Sequence, residues 1–225
     1  MSVKENIESL KKRIDDAAQR AERDPDEITI VAVTKTVSIP KIEEAITCGI
    51  RIIGENRVQE ASRKFPIIGD RTDWHMVGHL QTNKAKTALE IFTMIQSLDS
   101  LRLAQEINKR AEQQIDCLIE VNTSKEPSKF GFAPEKIFDF YEKLKGLRKI
   151  NVLGLMTIGP GWAIQDPEAS RSCFRTLREL RDEMSQEYDR PFSILSMGMT
   201  SDFEVAIEEG ANMIRIGTAI FGPRE

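Results

Sequence analysis

Eight short apolar, largely β-branched runs, separated by seven stretches of helical spacing, constrain this chain more than any other feature. The runs are Ile28–Thr34, Ile50–Ile53, Trp74–Val77, Thr93–Gln96, Ile115–Val121, Val152–Met156, Phe192–Ser196 and Met213–Ile216. The intervening helices are read over Lys41–Thr47, Val58–Lys64, Lys84–Glu90, Leu98–Gln113, Pro134–Leu144, Pro167–Tyr188 and Asp202–Glu209. Unbroken apolar runs of this length suit strands buried on both faces of a parallel sheet. Strict strand–helix alternation implies such a sheet. Eight strands within 225 residues favour closure into a (β/α)8 TIM-type barrel over an open doubly wound sheet. An amphipathic helix over residues 3–23, with Val3, Ile7, Leu10 and Ile14 on one face, precedes the first strand. No composition shift or repeat divides the chain, so residues 1–225 read as one domain.

The first strand ends in Val33-Thr34-Lys35-Thr36. In an α/β barrel the C-terminal strand ends surround the mouth where chemistry is placed. An amine held there against an apolar wall loses hydration, which favours its neutral, nucleophilic form and Schiff-base formation with an aldehyde. A strand-end lysine reaching into water is the alternative reading of Lys35 alone. The seventh and eighth strands run into Ser196-Met197-Gly198-Met199-Thr200-Ser201-Asp202 and Arg215-Ile216-Gly217-Thr218-Ala219. Glycines and hydroxyls before helix starts suit a bound anion, and barrels often hold phosphate after these two strands. Helix caps and turn glycines explain the same residues without a ligand. In a closed barrel strand eight neighbours strand one, so a phosphate there lies beside Lys35. Pyridoxal 5′-phosphate (PLP) carries both an aldehyde and a phosphate; a sugar-phosphate aldolase would use the same pair of features. Facing PLP, the permanently charged Arg215 would disfavour a proton on the pyridine nitrogen and weaken the ring as an electron sink.

Net charge is −4, which argues against nucleic acid as the main partner. Cys48, Cys117 and Cys173 form no CxxC and are odd in number, which suits a reducing, cytoplasmic setting. No apolar stretch approaches the ~18 residues of a membrane span, and the charged N-terminus is unlike a signal peptide. His75 and His79 flank a strand end, so they lack the helical spacing of a zinc pair, and no metal site is expected. Gln81, Asn83 and Lys84 are expected near the mouth. The loop carrying Lys125, Lys129, Phe130 and Phe132 reads either as a lid or as packing.

The segments AVTK (32–35), GENRVQE (54–60), WHMVGHLQTNK (74–84), GLMTIGP (154–160) and LSMGMTSDFEVAIEEGANMIRIGTAIFG (195–222) resemble the pyridoxal phosphate homeostasis protein family over nearly the whole chain. The resemblance implies the barrel of alanine racemase's N-terminal domain, a fold-type III PLP barrel, here without the C-terminal β domain. It implies Lys35 as the Schiff-base lysine and Arg215 near the pyridine nitrogen. Ser196, Ser201, Gly217 and Thr218 would hold the phosphate, and the Asn56 amide would donate to the ring hydroxyl. The sequence in hand stops at Glu225, and its only tyrosines, Tyr141 and Tyr188, are expected outside the barrel. No acid/base partner opposite Lys35 is therefore evident. PLP binding, buffering and delivery to PLP-dependent apoenzymes by a monomer is the expectation, with an amino-acid racemase using Lys35 as base as the alternative.

Overall fold

A computed structural model describes residues 2–223. Helix α1 (Val3–Arg20) starts on a capping box, in which the Ser2 Oγ accepts from the Glu5 amide at 3.2 Å and the Ser2 amide donates back to the Glu5 carboxylate at 2.8 Å. Its buried stripe of Val3, Ile7, Leu10, Ile14, Ala17 and Ala18 packs on the outside of the barrel. There follow β1 (Thr29–Val33), α2 (Ile39–Thr47), β2 (Ile52–Glu55), α3 (Val58–Ile68), β3 (Asp73–Met76), α4 (Ala85–Leu89), β4 (Met94–Leu98) and α5 (Leu101–Arg110). The second half comprises β5 (Ile115–Glu120), α6 (Ile137–Leu144), β6 (Ile150–Met156), α7 (Arg171–Glu187), β7 (Ile194–Ser196), α8 (Phe203–Glu208), β8 (Met213–Ile216) and α9 (Thr218–Phe221). The strands close in chain order, all parallel, and β8 pairs with β1 through Thr29↔Met213 to Ala32↔Ile216.

The barrel matches the sequence expectation, but several boundaries move. β2 lies over Ile52–Glu55 rather than Ile50–Ile53, because Gly54 and Glu55 continue the ladder opposite His75 and Met76. β4 extends to Leu98, which pairs with Ile119, so the next helix begins only after Ser100, whose Oγ accepts from the Leu103 amide at 3.3 Å. α3 continues beyond Lys64 to Ile68 and carries Pro66 in its last turn.

Strand alternation divides the buried residues into two shells. One shell lies between strands and helices. The other fills the barrel with Val31, Val77, Met94, Leu118, Met156 and Met213. Two residues further along their strands, Gln96, Glu120 and Arg215 share the inward parity of Met94, Leu118 and Met213 and form a polar layer toward the mouth. Among the described residues no helix is long and apolar enough to cross a membrane.

Candidate functional site

Lys35 sits in a turn just past β1. Val37 N donates to Thr34 O at 2.9 Å, and Thr36 has φ 62°. A β-branched residue in the left-handed region costs roughly 1–3 kcal/mol and persists only where its surroundings impose it. Here the surroundings are charged. Lys64 on α3 is buried, and its Nζ donates at 2.7 Å to each of Thr34 O, Glu55 Oε1 and Glu60 Oε1. Glu55 Oε1 also accepts from Thr34 Oγ1 at 2.7 Å, and Glu60 Oε1 accepts from the Thr36 amide at 2.6 Å. Burial pushes the Glu55 carboxyl above its ordinary range, against the hydrogen bonds from Lys64 and Thr34. Burial also acts to raise Glu60, but the Lys64 and Thr36 hydrogen bonds outweigh it and hold that carboxyl low.

Lys35 opens into a cleft of about 1320 Å³ shared with Asn56, Arg57, Arg63, Lys64, His79, Gln81, Lys84 and Phe130. Asn83 belongs to the short turn beside it, Thr82–Lys84. The Asn56 Oδ1 is buried with no hydrogen-bond partner, an exception among buried polar groups that fits a missing ligand donor. The amide of Asn56 carries both a donor and an acceptor that a ligand could meet. Gly78 braces Asn56, since a Cβ there would lie 2.6 Å from Asn56 O. At the rim, Phe130 stacks on His79 (centroids 4.0 Å apart, 9° between planes), and His79 Nδ1 meets Asp99 at 2.5 Å. Phe132 instead stacks on Phe140 in the outer shell. The two aromatics of that loop thus divide between mouth and packing.

Arg215 lies inside the barrel. Its Nη1 donates to Ser196 Oγ and its Nη2 to Thr157 O, both at 2.7 Å. Ser196 Oγ in turn donates to Gln96 Oε1 at 2.6 Å, and Gln96 Nε2 approaches His75 Nδ1 at 2.8 Å. These groups cross the barrel from β8 to β3. Burial pushes Arg215 down to about 10, which leaves it charged at neutral pH. Burial likewise holds His75 down to about 4, hence neutral.

Ser196 is placed differently from the other hydroxyls expected at the phosphate. It is the last residue of β7, its inward parity buries it completely, and its proton and one acceptor site are engaged with Gln96 and Arg215. It orients the arginine instead of belonging to the loop hydroxyls. The residue overlooked in that loop is Thr200, whose Oγ1 accepts from the Ala219 amide at 3.2 Å and ties the β7 loop to the β8 loop. Ser201 is partly exposed and Thr218 exposed. Thr218 lines a second cleft, of about 410 Å³ against α1, and not the cleft of Lys35. Gly217 stands beside β1, where a Cβ would lie 3.5 Å from Val33 O. Gly198 has φ 90°, and a Cβ there would fall 2.6 Å from the Ala206 Cβ, so glycine is required. Buried Asp202 fixes the same loop by accepting from the Met199 amide and from Ser170 Oγ, both at 2.7 Å. The structure therefore joins Lys35 with Asn56 in one cleft and Arg215 with Ser196 beneath the mouth, with Gly217 at the seam between β8 and β1.

Tyr141 and Tyr188 lie together on the outer shell, ring centroids 4.5 Å apart. His75 points inward and His79 sits at the rim; among the described residues no three His, Cys, Asp or Glu side chains are grouped to hold a metal.

The alanine racemase N-terminal domain family model matches residues 6–225. A protein of Aquifex aeolicus named pyridoxal phosphate homeostasis protein is 44% identical over 229 residues, covering 100% of both chains. The chain belongs to the pyridoxal phosphate homeostasis protein family. A solved structure similar to this family member is PipY of Synechococcus elongatus with PLP bound: TM-score 0.84, 32% identity, covering 98% of this chain and 100% of PipY. An alanine racemase of Clostridium difficile shares the fold alone, with TM-score 0.74 at 15% identity, covering 99% of this chain and 57% of the racemase.

Proposed function

We propose that this chain binds PLP and serves in PLP homeostasis, holding the cofactor as a Schiff base on Lys35. The observation that carries the reading is the cleft that the Lys35 turn shares with Asn56, whose Oδ1 is buried without a hydrogen-bond partner. Similarity to PipY, solved with PLP bound, supports the choice of ligand. When bound, PLP supplies an aldehyde that condenses with amines and a ring that stores electrons. The residues fit that group. Lys35 would provide the amine, and the Asn56 amide would hydrogen-bond the ring hydroxyl. Arg215, charged and locked by Ser196 and Thr157, would stand at the pyridine nitrogen and disfavour its protonation. The phosphate would fall to the ends of the β7 and β8 loops, at Ser201, Gly217 and the Thr218 amide, with Thr200 joining the two loops. Ser196 acts through Arg215 and not on the phosphate.

An arginine at the ring nitrogen suits carrying the cofactor better than turning over amino acids, and the names of the relatives point the same way. Residues 1–225 act as one PLP-binding domain, monomeric and cytoplasmic, that buffers PLP and passes it to apoenzymes.

The test is the visible spectrum of the purified protein with added PLP, followed by borohydride reduction and peptide mapping. A Schiff-base band that converts to a pyridoxyl adduct on Lys35 is expected. No band and an unmodified Lys35 would overturn the reading and favour a cofactor-free sugar-phosphate aldolase.

A further inference from the structure

Lys64 lines the same cleft as Lys35. The three hydrogens of Lys64 Nζ meet three acceptors, so this amine is committed to the protein. Two of those acceptors straddle Lys35. Thr34 O belongs to the residue before it, and Glu60 Oε1 holds the amide of the residue after it. At the second hold the backbone takes the left-handed conformation of Thr36. Stability alone gives little reason for a buried lysine bonded to two carboxylates, because well-packed apolar residues commonly do as well. Strain imposed at one residue, with charged holds on either side of a reactive amine, has a purpose if the direction of that amine matters.

We propose that Lys64 and Glu60 are positioning residues, a clamp that fixes the turn and so aims Lys35 at the aldehyde. The proposal rests on the reading of Lys35 as the PLP anchor. Glu55 completes the clamp from β2 by accepting from both Lys64 and the Thr34 hydroxyl. Without the hold on the Thr36 amide, the turn relaxes to ordinary backbone angles and the Lys35 amine is redirected. A glycine at position 36 takes the left-handed conformation without that steric cost.

The test compares the wild-type chain with Glu60→Ala, Lys64→Met and the double variant Glu60→Ala/Thr36→Gly. Each is titrated with PLP and followed by the visible band, by the circular dichroism of that band and by borohydride mapping of Lys35. Thermal unfolding runs in parallel. Glu60→Ala is expected to weaken PLP capture about tenfold, the scale of one strained residue released, and to reduce the dichroism of the band. Lys64→Met should weaken it further; if that variant fails to fold, the two Glu60 variants decide. The double variant should return to within about threefold of wild type, since glycine removes the strain penalty. Mapping should place the adduct on Lys35 and never on Lys64. Folded Glu60→Ala protein with wild-type affinity and dichroism overturns the clamp, as does a loss that glycine at position 36 fails to recover. A wild-type protein with no Lys35 adduct instead overturns the PLP reading, and the aiming role falls with it.

Discussion

The two sides of the barrel mouth hold their functional groups by opposite means. Around Lys35, charged side chains at a solvent-facing cleft hold a strained backbone turn. Around Arg215, the hydrogen-bond partners inside the barrel are neutral, a serine backed by a glutamine and a backbone carbonyl, with a neutral histidine behind them, while Glu120 and Asp202 act on the charge through space. The reactive amine must meet an incoming molecule, so it stands where the cleft opens. The guanidinium must only keep its place and charge, so it can be sealed in, provided each of its partners is satisfied.

Lys35→Ala should break the functional side most completely: no borohydride-stable adduct forms, while thermal unfolding stays close to wild type. Gln96→Leu should do the reverse. It strands the Ser196 hydroxyl and His75 Nδ1 in the interior, for a loss of about 2–4 kcal/mol in urea unfolding. The Lys35 adduct should survive, with its absorption maximum shifted as Arg215 moves.

Acidification sharpens the contrast within the interior. His75 titrates near 4 when folded and near 6.5 when unfolded, so the unfolded chain takes up the proton first. Stability should fall between those values, by on the order of 3 kcal/mol. Glu120, at the inner end of β5, is raised to about 7, by burial first and then by Asp99. Here the folded chain takes the proton first, so this residue adds stability as pH falls from about 7 toward 4.5. Measured as differences from wild type, His75→Gln should remove the loss and Glu120→Gln the gain. The smallest expected effect is at the rim. Phe130→Ala removes the stack on His79, worth about 0.5–1.5 kcal/mol, and should speed PLP release about threefold or less.

Much of the barrel was legible because apolar runs and helical spacing are local signals. Glu55 was not, since a carboxylate after Gly54 reads as a turn until Lys64 is seen nine residues on, neutralising it inside. Lys64 resembles any helix-surface lysine in sequence; only the return of α3 over the end of β1 brings its amine to Thr34. The inward place of Ser196 is hidden for a related reason. It opens a glycine- and hydroxyl-rich stretch, but the two-residue period of β7 turns it inward, two residues on from Ile194. His75, Gln96 and Arg215 are polar residues in strands whose compatibility depends wholly on one another. Nothing local signals that. Lys35, Asn56 and Gly217 were accessible from their positions at strand ends, which topology alone brings together.

The seam between β1 and β8 has a temporal consequence. A growing chain makes β1 early, and its open edge has no partner until the eighth strand has been synthesised. At ~5–20 residues per second that wait lasts roughly ten to forty seconds, during which an unpaired apolar edge is exposed to other chains. The turn bearing Lys35 and the strand bearing Arg215 come from opposite ends of this interval. Occupancy by PLP would therefore report a finished ring, and a supply of the ligand would favour, by mass action, molecules that have closed over those that have not.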